Sequence, residues 1–290
     1  MGKDDGRLID IGDTELFVVE RGTGHPIIVL HGGPGLDHHG FGDYLDDLTD
    51  QFSLILVDQR ANGRSGHPPE ETWTLEQHAK DVSLLAVALG LDRYSVLGHS
   101  YGAFVALQHA VDFSGEPAQT IVSSGVPGSR FLMSYVDEQL ENFEPVELRQ
   151  QVTNSWAREQ HARTQDDVAS LLSDQMPFHF ADPFDPRIAE FEERTKGTVY
   201  SPEILRKFSN EEYGGIEVED RLGDIAHPVL ILAGRHDRTC SIEAAEFMAG
   251  NIPIAEMVVF ERSAHMTYVE ENEKYLSTVR AFLMRGYAAG

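Results

Sequence analysis

One pentapeptide restricts the fold of this chain more than any other feature. The pentapeptide is GHSYG, residues 98–102, in which Gly98 and Gly102 flank Ser100. It lies within VLGHSYGAFVAL, residues 96–107, which is otherwise largely apolar. A glycine inside a helix costs about 1 kcal/mol relative to alanine, so two glycines here need a structural reason. The residues before Ser100 have the pattern of a buried strand, and those after it have the pattern of a helix. We therefore predict a sharp strand-to-helix turn, a nucleophile elbow, with Ser100 at its tip. The residues two positions before and after the serine must be small in such a turn.

The first 125 residues alternate between strand and helix patterns. RLIDI and TELFVVERG predict an antiparallel hairpin, and PIIVLHGG and FSLILVDQR are typical of strands buried on both faces. Residues 74–90 predict a helix that begins with a capping box of Thr74 and Gln77 and ends at Gly90. This alternation predicts an α/β fold, in which a mostly parallel sheet has helices on both faces.

The pattern changes in the middle of the chain. Residues 128–222 lack the apolar runs of buried strands and have helical segments such as EPVELRQQVTNSWAREQ and DDVASLLSDQM. Strand patterns return at PVLILAG and EMVVF, and these late strands need a sheet to join. We therefore expect a core domain formed by residues 1–127 and 223–290, with residues 128–222 inserted as a helical cap, or lid.

Charge and composition limit the partners that the chain can have. Its formal net charge is −25, from 48 acidic and 23 basic residues, and this charge repels nucleic acid and anionic lipid. The single cysteine, Cys240, excludes an intramolecular disulfide. Because no stretch resembles a signal peptide or a membrane span, we expect a cytoplasmic protein. The oligomeric state stays open.

A serine hydroxyl is a weak nucleophile at neutral pH, so it needs a base and a group that orients that base. After a nucleophile elbow these residues follow in the order Ser, Asp or Glu, His, each in a loop after a later strand. Asp237 follows PVLILAG and His265 follows EMVVF, so the candidate catalytic residues are Ser100, Asp237 and His265. His236 is a rival base, but a neighbour in the chain cannot easily turn back onto the Asp237 carboxylate.

An acyl-transfer site also needs N–H donors for the oxygen that becomes negatively charged. The backbone N–H of Tyr101, directly after the serine, is one candidate, and that of Gly33 in the loop LHGGPG is the other. This chemistry requires no cofactor.

Three consecutive residues, Asp37, His38 and His39, resemble a metal-binding group. Adjacent histidines in a rigid loop rarely bind one ion, so we expect no metal there. Asp58 and Arg60 are expected to organise the loop beneath the site.

Several motifs together resemble proline iminopeptidase-like α/β-hydrolases. They are HGGPG at 31–35, DQRANGRSG at 58–66, GHSYG at 98–102, GRHD at 234–237 and SAH at 263–265. The resemblance covers nearly the whole chain and implies an eight-stranded sheet with a helical cap inserted between the sixth and seventh strands. It also implies a serine peptidase that removes N-terminal residues, often proline, through an acyl-enzyme.

The chain departs from that family at two motif positions. Ala61 replaces a usual glycine, and Arg238 follows Asp237 where some members have an acid. A cation there would repel the ammonium group of a peptide substrate. This favours cleavage of an ester, lactone or amide of a small substrate slightly over aminopeptidase activity. Those peptidases bind the amine through cap glutamates, for which Glu211 and Glu212 are the candidates.

The cap offers aromatic side chains that either line a substrate pocket or form the cap's own core: Trp156, Phe178, Phe180 and Phe184. The expected partner is a small-molecule or short-peptide substrate. A ligand receptor with this fold and little turnover is the alternative from another functional class. Dehalogenases and epoxide hydrolases need an aspartate at the elbow, so Ser100 argues against both.

Overall fold

The computed structural model describes residues 5–287, and a single eight-stranded sheet forms its centre. The strands are β1 (Arg7–Asp10), β2 (Glu15–Gly22), β3 (His25–Leu30), β4 (Phe52–Val57), β5 (Ser95–His99), β6 (Gln119–Ser123), β7 (Val229–Gly234) and β8 (Ala255–Phe260). Their order across the sheet is β1-β2-β4-β3-β5-β6-β7-β8. Strand β2 pairs antiparallel with β1 and β4, whereas the remaining pairings are parallel. The predicted hairpin and mostly parallel sheet are confirmed.

Helices connect most of the strands. They are α1 (Leu75–Ala88), α2 (Tyr101–Asp112), α3 (Met133–Glu141), α4 (Val146–Arg158), α5 (Gln165–His179), α6 (Arg187–Arg194), α7 (Pro202–Ser209), α8 (Ile242–Asn251), α9 (Thr267–Glu270) and α10 (Asn272–Tyr287). Within residues 5–287, none of them combines the length and the apolar character needed to cross a membrane.

The start of α1 differs in one detail from the expectation. The Thr74 hydroxyl accepts a hydrogen bond from the Gln77 backbone N–H, at 3.2 Å, as a helix cap should. A capping box also requires the Gln77 side chain to return to Thr74, but its amide donates to Asp81 Oδ1 instead, at 2.8 Å. Only half of the expected box therefore forms, because the Gln77 side chain extends along the helix to Asp81 instead of turning back to accept from the Thr74 backbone N–H.

The sheet is buried on both faces, because successive side chains of a strand point to opposite sides. In β3, Ile28 and Leu30 belong to one hydrophobic core, which includes residues of α1 and α2. Ile27 and Val29 belong to the other, which includes residues of α10. Burying such a side chain contributes about 1.5–3 kcal/mol, so the carboxyl ends of these strands are firmly held. The loops that carry the candidate site leave from these strand ends.

Five helices, α3 to α7, lie between β6 and β7, in the segment where strand patterns are missing from the sequence. An isolated antiparallel bridge between Gly128 and Glu217 brings the two ends of this segment together. The insertion point is the one that the family resemblance implies. The assignment of residues 128–222 as a separate cap domain remains a prediction.

Candidate active site

Ser100 lies between the end of β5 and the start of α2, with φ 56° and ψ −121°. This backbone conformation is rare for residues other than glycine and costs about 1–3 kcal/mol. The flanking glycines are required by close approach of the backbone. A Cβ on Gly98 would lie 2.0 Å from the Gly102 carbonyl oxygen, and a Cβ on Gly102 would lie 2.2 Å from the Leu30 carbonyl oxygen. These contacts explain why glycines interrupt an apolar run.

Asp237 and His265 come from the loops after β7 and β8 and form a buried pair. His265 Nδ1 lies 2.9 Å from Asp237 Oδ2, and the two residues are 5% and 2% exposed. Burial works against ionisation of Asp237. The adjacent His265 and the N–H groups of Cys240 and Thr239 outweigh burial and hold the pKa of this carboxyl well below its usual range. Asp237 is therefore an anion at neutral pH.

Thr239 is a third member of this group that the sequence analysis missed. Its hydroxyl lies 2.8 Å from Asp237 Oδ1 and 2.8 Å from His265 Nδ1. The backbone N–H groups of Thr239 and Cys240 also donate to Asp237 Oδ1, at 2.8 Å and 2.9 Å. The sequence contained one usable signal: a threonine two residues after an aspartate often hydrogen-bonds that carboxylate in a turn.

Ser100 and His265 line the same cavity, which has a volume of about 450 Å³. Within residues 5–287, no hydrogen bond joins the Ser100 hydroxyl to the His265 ring. Such a bond is often long before substrate binding tightens the site. His236, the rival base, is exposed and is not among the described residues that line the cavity.

Two more histidines flank the His265 ring. The ring centroids of His99 and His179 lie 4.9 Å and 5.0 Å from that of His265. Burial lowers the pKa of His179 to about 3 and holds the pKa of His99 well below its usual value. Both rings are therefore neutral at neutral pH and do not compete with His265 for a proton.

The two candidate oxyanion donors, Gly33 and Tyr101, also line the cavity. Gly33 has φ 117°, a conformation that favours glycine, and Tyr101 is the first residue of α2. Neither backbone N–H donates a hydrogen bond to another residue in the described range 5–287. The partial positive charge at the N-terminus of α2 also favours an anionic oxygen at this position.

The cavity wall facing these groups comes largely from the segment between β6 and β7. Its apolar part is formed by side chains from both core and cap: Phe41, Phe104, Leu132, Trp156, Leu172, Met176, Phe191 and Leu205. Trp156 is the one proposed cap contact that the structure places on this cavity.

The other five candidate substrate contacts of the cap are not among the residues that line the cavity, and for the buried aromatic residues the alternative of a packing role applies. Phe178 is fully buried and packs against Phe143 and Trp156 within the cap segment, with ring centroids 5.3 Å and 5.9 Å apart, and Phe180 is fully buried in the second hydrophobic core. Phe184 is 62% exposed. Glu211 and Glu212 are exposed, and Glu211 pairs with Lys207 on the surface.

A different acid, Glu159, lines the cavity and was missed. It is 4% exposed, accepts a hydrogen bond from Gln175 Nε2 at 2.6 Å, and accepts another from the Tyr213 hydroxyl. Burial raises the pKa of this carboxyl to about 7, although both hydrogen bonds act against that increase. Its spacing from Trp156 puts both residues on one face of the helical segment, which was the available sequence signal.

Arg238 binds the backbone of the cap segment, a contact that bears on whether it repels a substrate amine. Its guanidinium donates to the carbonyl oxygens of Phe178 and Phe180, at 2.9 Å and 2.7 Å, and to that of Ala181 at 3.3 Å. It is not among the described residues that line the cavity. Arg238 therefore makes no direct contact with a substrate ammonium group in the cavity, because its guanidinium points into the cap backbone.

Among the residues that the structure describes, two sets of three side chains have potential metal-binding atoms within 4.8 Å of one another: Asp37, His38 and His39, and Asp237, Cys240 and His265. The first does not fit a metal ion, because Asp37 Oδ2 already binds the Arg64 guanidinium at 2.7 Å. The second does not fit either, because burial raises the pKa of the Cys240 thiol well above its usual value and disfavours the thiolate.

Comparisons with known proteins agree with this architecture. A family model described as alpha/beta hydrolase fold matches residues 25–272. Among curated proteins, the chain is similar to a proline iminopeptidase of Heyndrickxia coagulans, with 28% identity over 273 residues that cover 91% of this chain and 92% of that protein.

Two solved structures extend the comparison. The proline iminopeptidase of Mycobacterium smegmatis superposes with a TM-score of 0.77 and 25% identity, covering 99% of this chain and 100% of that one. An esterase from Exiguobacterium antarcticum gives a TM-score of 0.75 and 24% identity, covering 96% and 99% of the two chains. The predicted fold class and the family resemblance are confirmed, whereas the similarity to the esterase shows the fold alone.

Proposed function

The chain belongs to the α/β-hydrolase family of enzymes, and from this premise we propose that it is a serine hydrolase that cleaves an ester, lactone or amide bond of a small substrate through an acyl-enzyme on Ser100. The observation that carries the proposal is the Asp237–His265 hydrogen bond of 2.9 Å, formed beside the cavity that Ser100 lines.

In the proposed mechanism, His265 Nε2 takes the proton of Ser100 as Oγ attacks the substrate carbonyl carbon. The N–H groups of Gly33 and Tyr101 bind the resulting oxyanion, and each such donor typically contributes about 3 kcal/mol to lowering the barrier. The C–O or C–N bond then breaks, and the imidazolium gives its proton to the leaving group. A water molecule, deprotonated by His265, attacks the acyl-enzyme and releases the acid and Ser100.

The electrostatics support this assignment of roles. Asp237 is anionic at neutral pH, so it holds the proton of His265 on Nδ1 and stabilises the imidazolium that forms during attack. The flanking His99 and His179 are neutral, so they add no positive charge against that imidazolium.

Covalent labelling tests this proposal without knowledge of the natural substrate. A fluorophosphonate probe should modify Ser100 stoichiometrically, and Ser100→Ala should lose the label and several powers of ten in kcat on p-nitrophenyl butyrate. Ser277→Ala, which removes an exposed hydroxyl on α10, is the matched control and should label like the wild type. Unchanged turnover in Ser100→Ala would refute the proposal, and labelling with negligible turnover on any ester would favour a receptor.

Aminopeptidase activity of the proline iminopeptidase type is the second candidate, and Glu159 is the observation that favours it. This buried acid lines the cavity and has two neutral hydrogen-bond partners, Gln175 and Tyr213. A buried carboxylate gains most from a cationic partner, such as the ammonium group of a peptide N-terminus.

A substrate comparison distinguishes the two candidates. An aminopeptidase should hydrolyse L-proline p-nitroanilide better than p-nitrophenyl butyrate, lose that activity when the amine is acetylated, and show a raised KM for the amine substrate in Glu159→Gln. A small-substrate esterase or lactonase should prefer esters and lactones, whether or not they carry an amine.

Three further assignments belong to this proposal. We assign residues 128–222 as a cap domain over the core, supported by their contribution to the cavity wall. A net charge of −25 supports a small-molecule or short-peptide substrate rather than nucleic acid as the partner. A cytoplasmic location is supported by the single cysteine, which excludes an intramolecular disulfide.

A further inference from the structure

Thr239 contacts both members of the Asp237–His265 pair. Its hydroxyl oxygen lies 2.8 Å from Asp237 Oδ1 and 2.8 Å from His265 Nδ1, and the residue is 5% exposed. His265 Nδ1 therefore has two oxygen neighbours, Asp237 Oδ2 at 2.9 Å and Thr239 Oγ1. The three side chains form a closed ring of hydrogen bonds.

The direction of each hydrogen bond in this ring is determined by chemistry. An ionised carboxylate only accepts hydrogen bonds, so the single hydroxyl proton of Thr239 is donated to Asp237 Oδ1. The Thr239 oxygen then has only lone pairs to offer His265 Nδ1, and Nδ1 must be the donor. A neutral imidazole with its proton on Nδ1 has an unprotonated Nε2, which is the state that a general base requires.

We propose that Thr239 is a positioning residue for His265, acting as a second acceptor for the Nδ1 proton and thereby keeping Nε2 available as the base. This inference rests on the proposed function, because it assigns Thr239 a part in the same serine hydrolase reaction. Asp237 supplies the charge, and Thr239 supplies a second point that fixes the rotation of the ring.

A purely structural role is the competing explanation, in which the hydroxyl only holds the Asp237 loop. The backbone limits that role, because the N–H groups of Thr239 and Cys240 already bind Asp237 Oδ1 at 2.8 Å and 2.9 Å. These two bonds remain when the side-chain hydroxyl is removed. Removal of the hydroxyl therefore changes mainly the hydrogen bonding of His265 Nδ1, and the Asp237 loop keeps its backbone hydrogen bonds.

The test compares Thr239→Val, which removes the hydroxyl at nearly constant volume, with Thr239→Ser, which keeps it. Thr239→Val should lower kcat on p-nitrophenyl butyrate about tenfold with KM unchanged, and should slow fluorophosphonate labelling of Ser100 by the same factor. Thr239→Ser should recover most of both rates. The Nδ1 proton resonance of His265 should shift and exchange faster with water in Thr239→Val than in Thr239→Ser.

Thr267→Val is the matched control. Thr267 is fully buried two residues after His265, and its hydroxyl has no hydrogen-bond partner within the described part of the chain. The same threonine-to-valine change should therefore leave kcat and the labelling rate unaltered. If Thr239→Val does not fold, Thr239→Ala replaces it in the comparison with Thr239→Ser.

The proposal is overturned by a hydroxyl-free Thr239 variant with wild-type kcat, or by equal loss of kcat in that variant and in Thr239→Ser. A higher KM together with a lower melting temperature would assign the hydroxyl to structure alone and would also count against it. Failure of the proposed function gives a different result, since Ser100→Ala would then keep its turnover.

Discussion

Glu159→Gln tests whether the cavity contains a neutral acid at moderate pH. Glu159 is 4% exposed, and its hydrogen-bond partners, Gln175 and Tyr213, carry no positive charge. Burial raises the pKa of this carboxyl from about 4.5 to about 7 in the folded protein. Glutamine keeps the size of the side chain and does not titrate. Its amide oxygen still accepts from Gln175, whereas its NH2 group donates to the Tyr213 oxygen in place of the carboxyl oxygen that accepted there, a change that shifts the free energy of unfolding by a pH-independent amount.

Proton linkage gives the size and sign of the contribution that Glu159 makes to the free energy of unfolding as the pH changes. At pH 4 the carboxyl is protonated in both folded and unfolded chains. As the pH rises, the unfolded chain ionises first, whereas the folded protein retains the proton until about pH 7, so the unfolded state gains stability in this window. A pKa difference of about 2.5, at 1.36 kcal/mol per pKa unit, corresponds to about 3 kcal/mol of lost stability.

Urea unfolding between pH 4 and pH 8.5 measures this quantity. The free energy of unfolding of Glu159→Gln, minus that of the wild type, should increase by about 3 kcal/mol across the range and level off above pH 7. Burial also raises the pKa of Glu270 to about 7, but this contribution is common to both proteins and cancels in the difference. Glu147→Gln, which changes an exposed residue on α4, is the control: its free energy of unfolding minus that of the wild type should stay nearly constant across the same pH range. A constant difference for Glu159→Gln would refute the reasoning.

Two further predictions concern the backbone of the elbow and the contact between cap and core. Gly98→Ala should prevent stable folding or cost more than 3 kcal/mol by urea unfolding, because its Cβ would lie 2.0 Å from the Gly102 carbonyl oxygen. Gly115→Ala, where an added Cβ meets nothing within 4 Å, should cost less than about 1 kcal/mol. Arg238→Met should lower the free energy of unfolding by about 2–3 kcal/mol and should also lower kcat. The reason is the loss of two charge-assisted hydrogen bonds to the cap backbone. An unchanged melting temperature would contradict this prediction.

The core fold was predictable because its signals are local. Apolar runs ending in glycine identify strands buried on both faces, and the alternation with helical segments allows few topologies other than a mostly parallel sheet. The positions of Asp237 and His265 followed from the same information, since each comes directly after a strand. Parallel strands bring their carboxyl ends to one edge, so residues far apart in the chain become neighbours without further assumptions.

The cavity wall could not be predicted in this way. Whether an aromatic side chain such as Phe178 faces a cavity or a core depends on how cap helices pack on one another and on the sheet, which periodicity does not determine. Glu159 becomes a cavity acid only because Gln175 on α5 and Tyr213 beyond α7 fold over it. The contacts of Arg238 could not be predicted for the same reason, because its partners are carbonyl oxygens about 60 residues earlier in the chain.

The contacts of Arg238 link the cap to the chemistry of the site. The guanidinium binds the backbone at the end of α5, and the N–H groups of His265 and Met266 donate to the His179 carbonyl oxygen, at 3.0 Å and 3.3 Å. The loops that carry Asp237 and His265 are therefore docked on one cap segment, residues 178–181. A change in cap packing at this point would move the base as well as the cavity wall, so turnover and substrate preference should change together for substitutions there. Substitutions on the wall farther away, near Glu159, should change KM without altering the geometry of the Asp237–His265 pair.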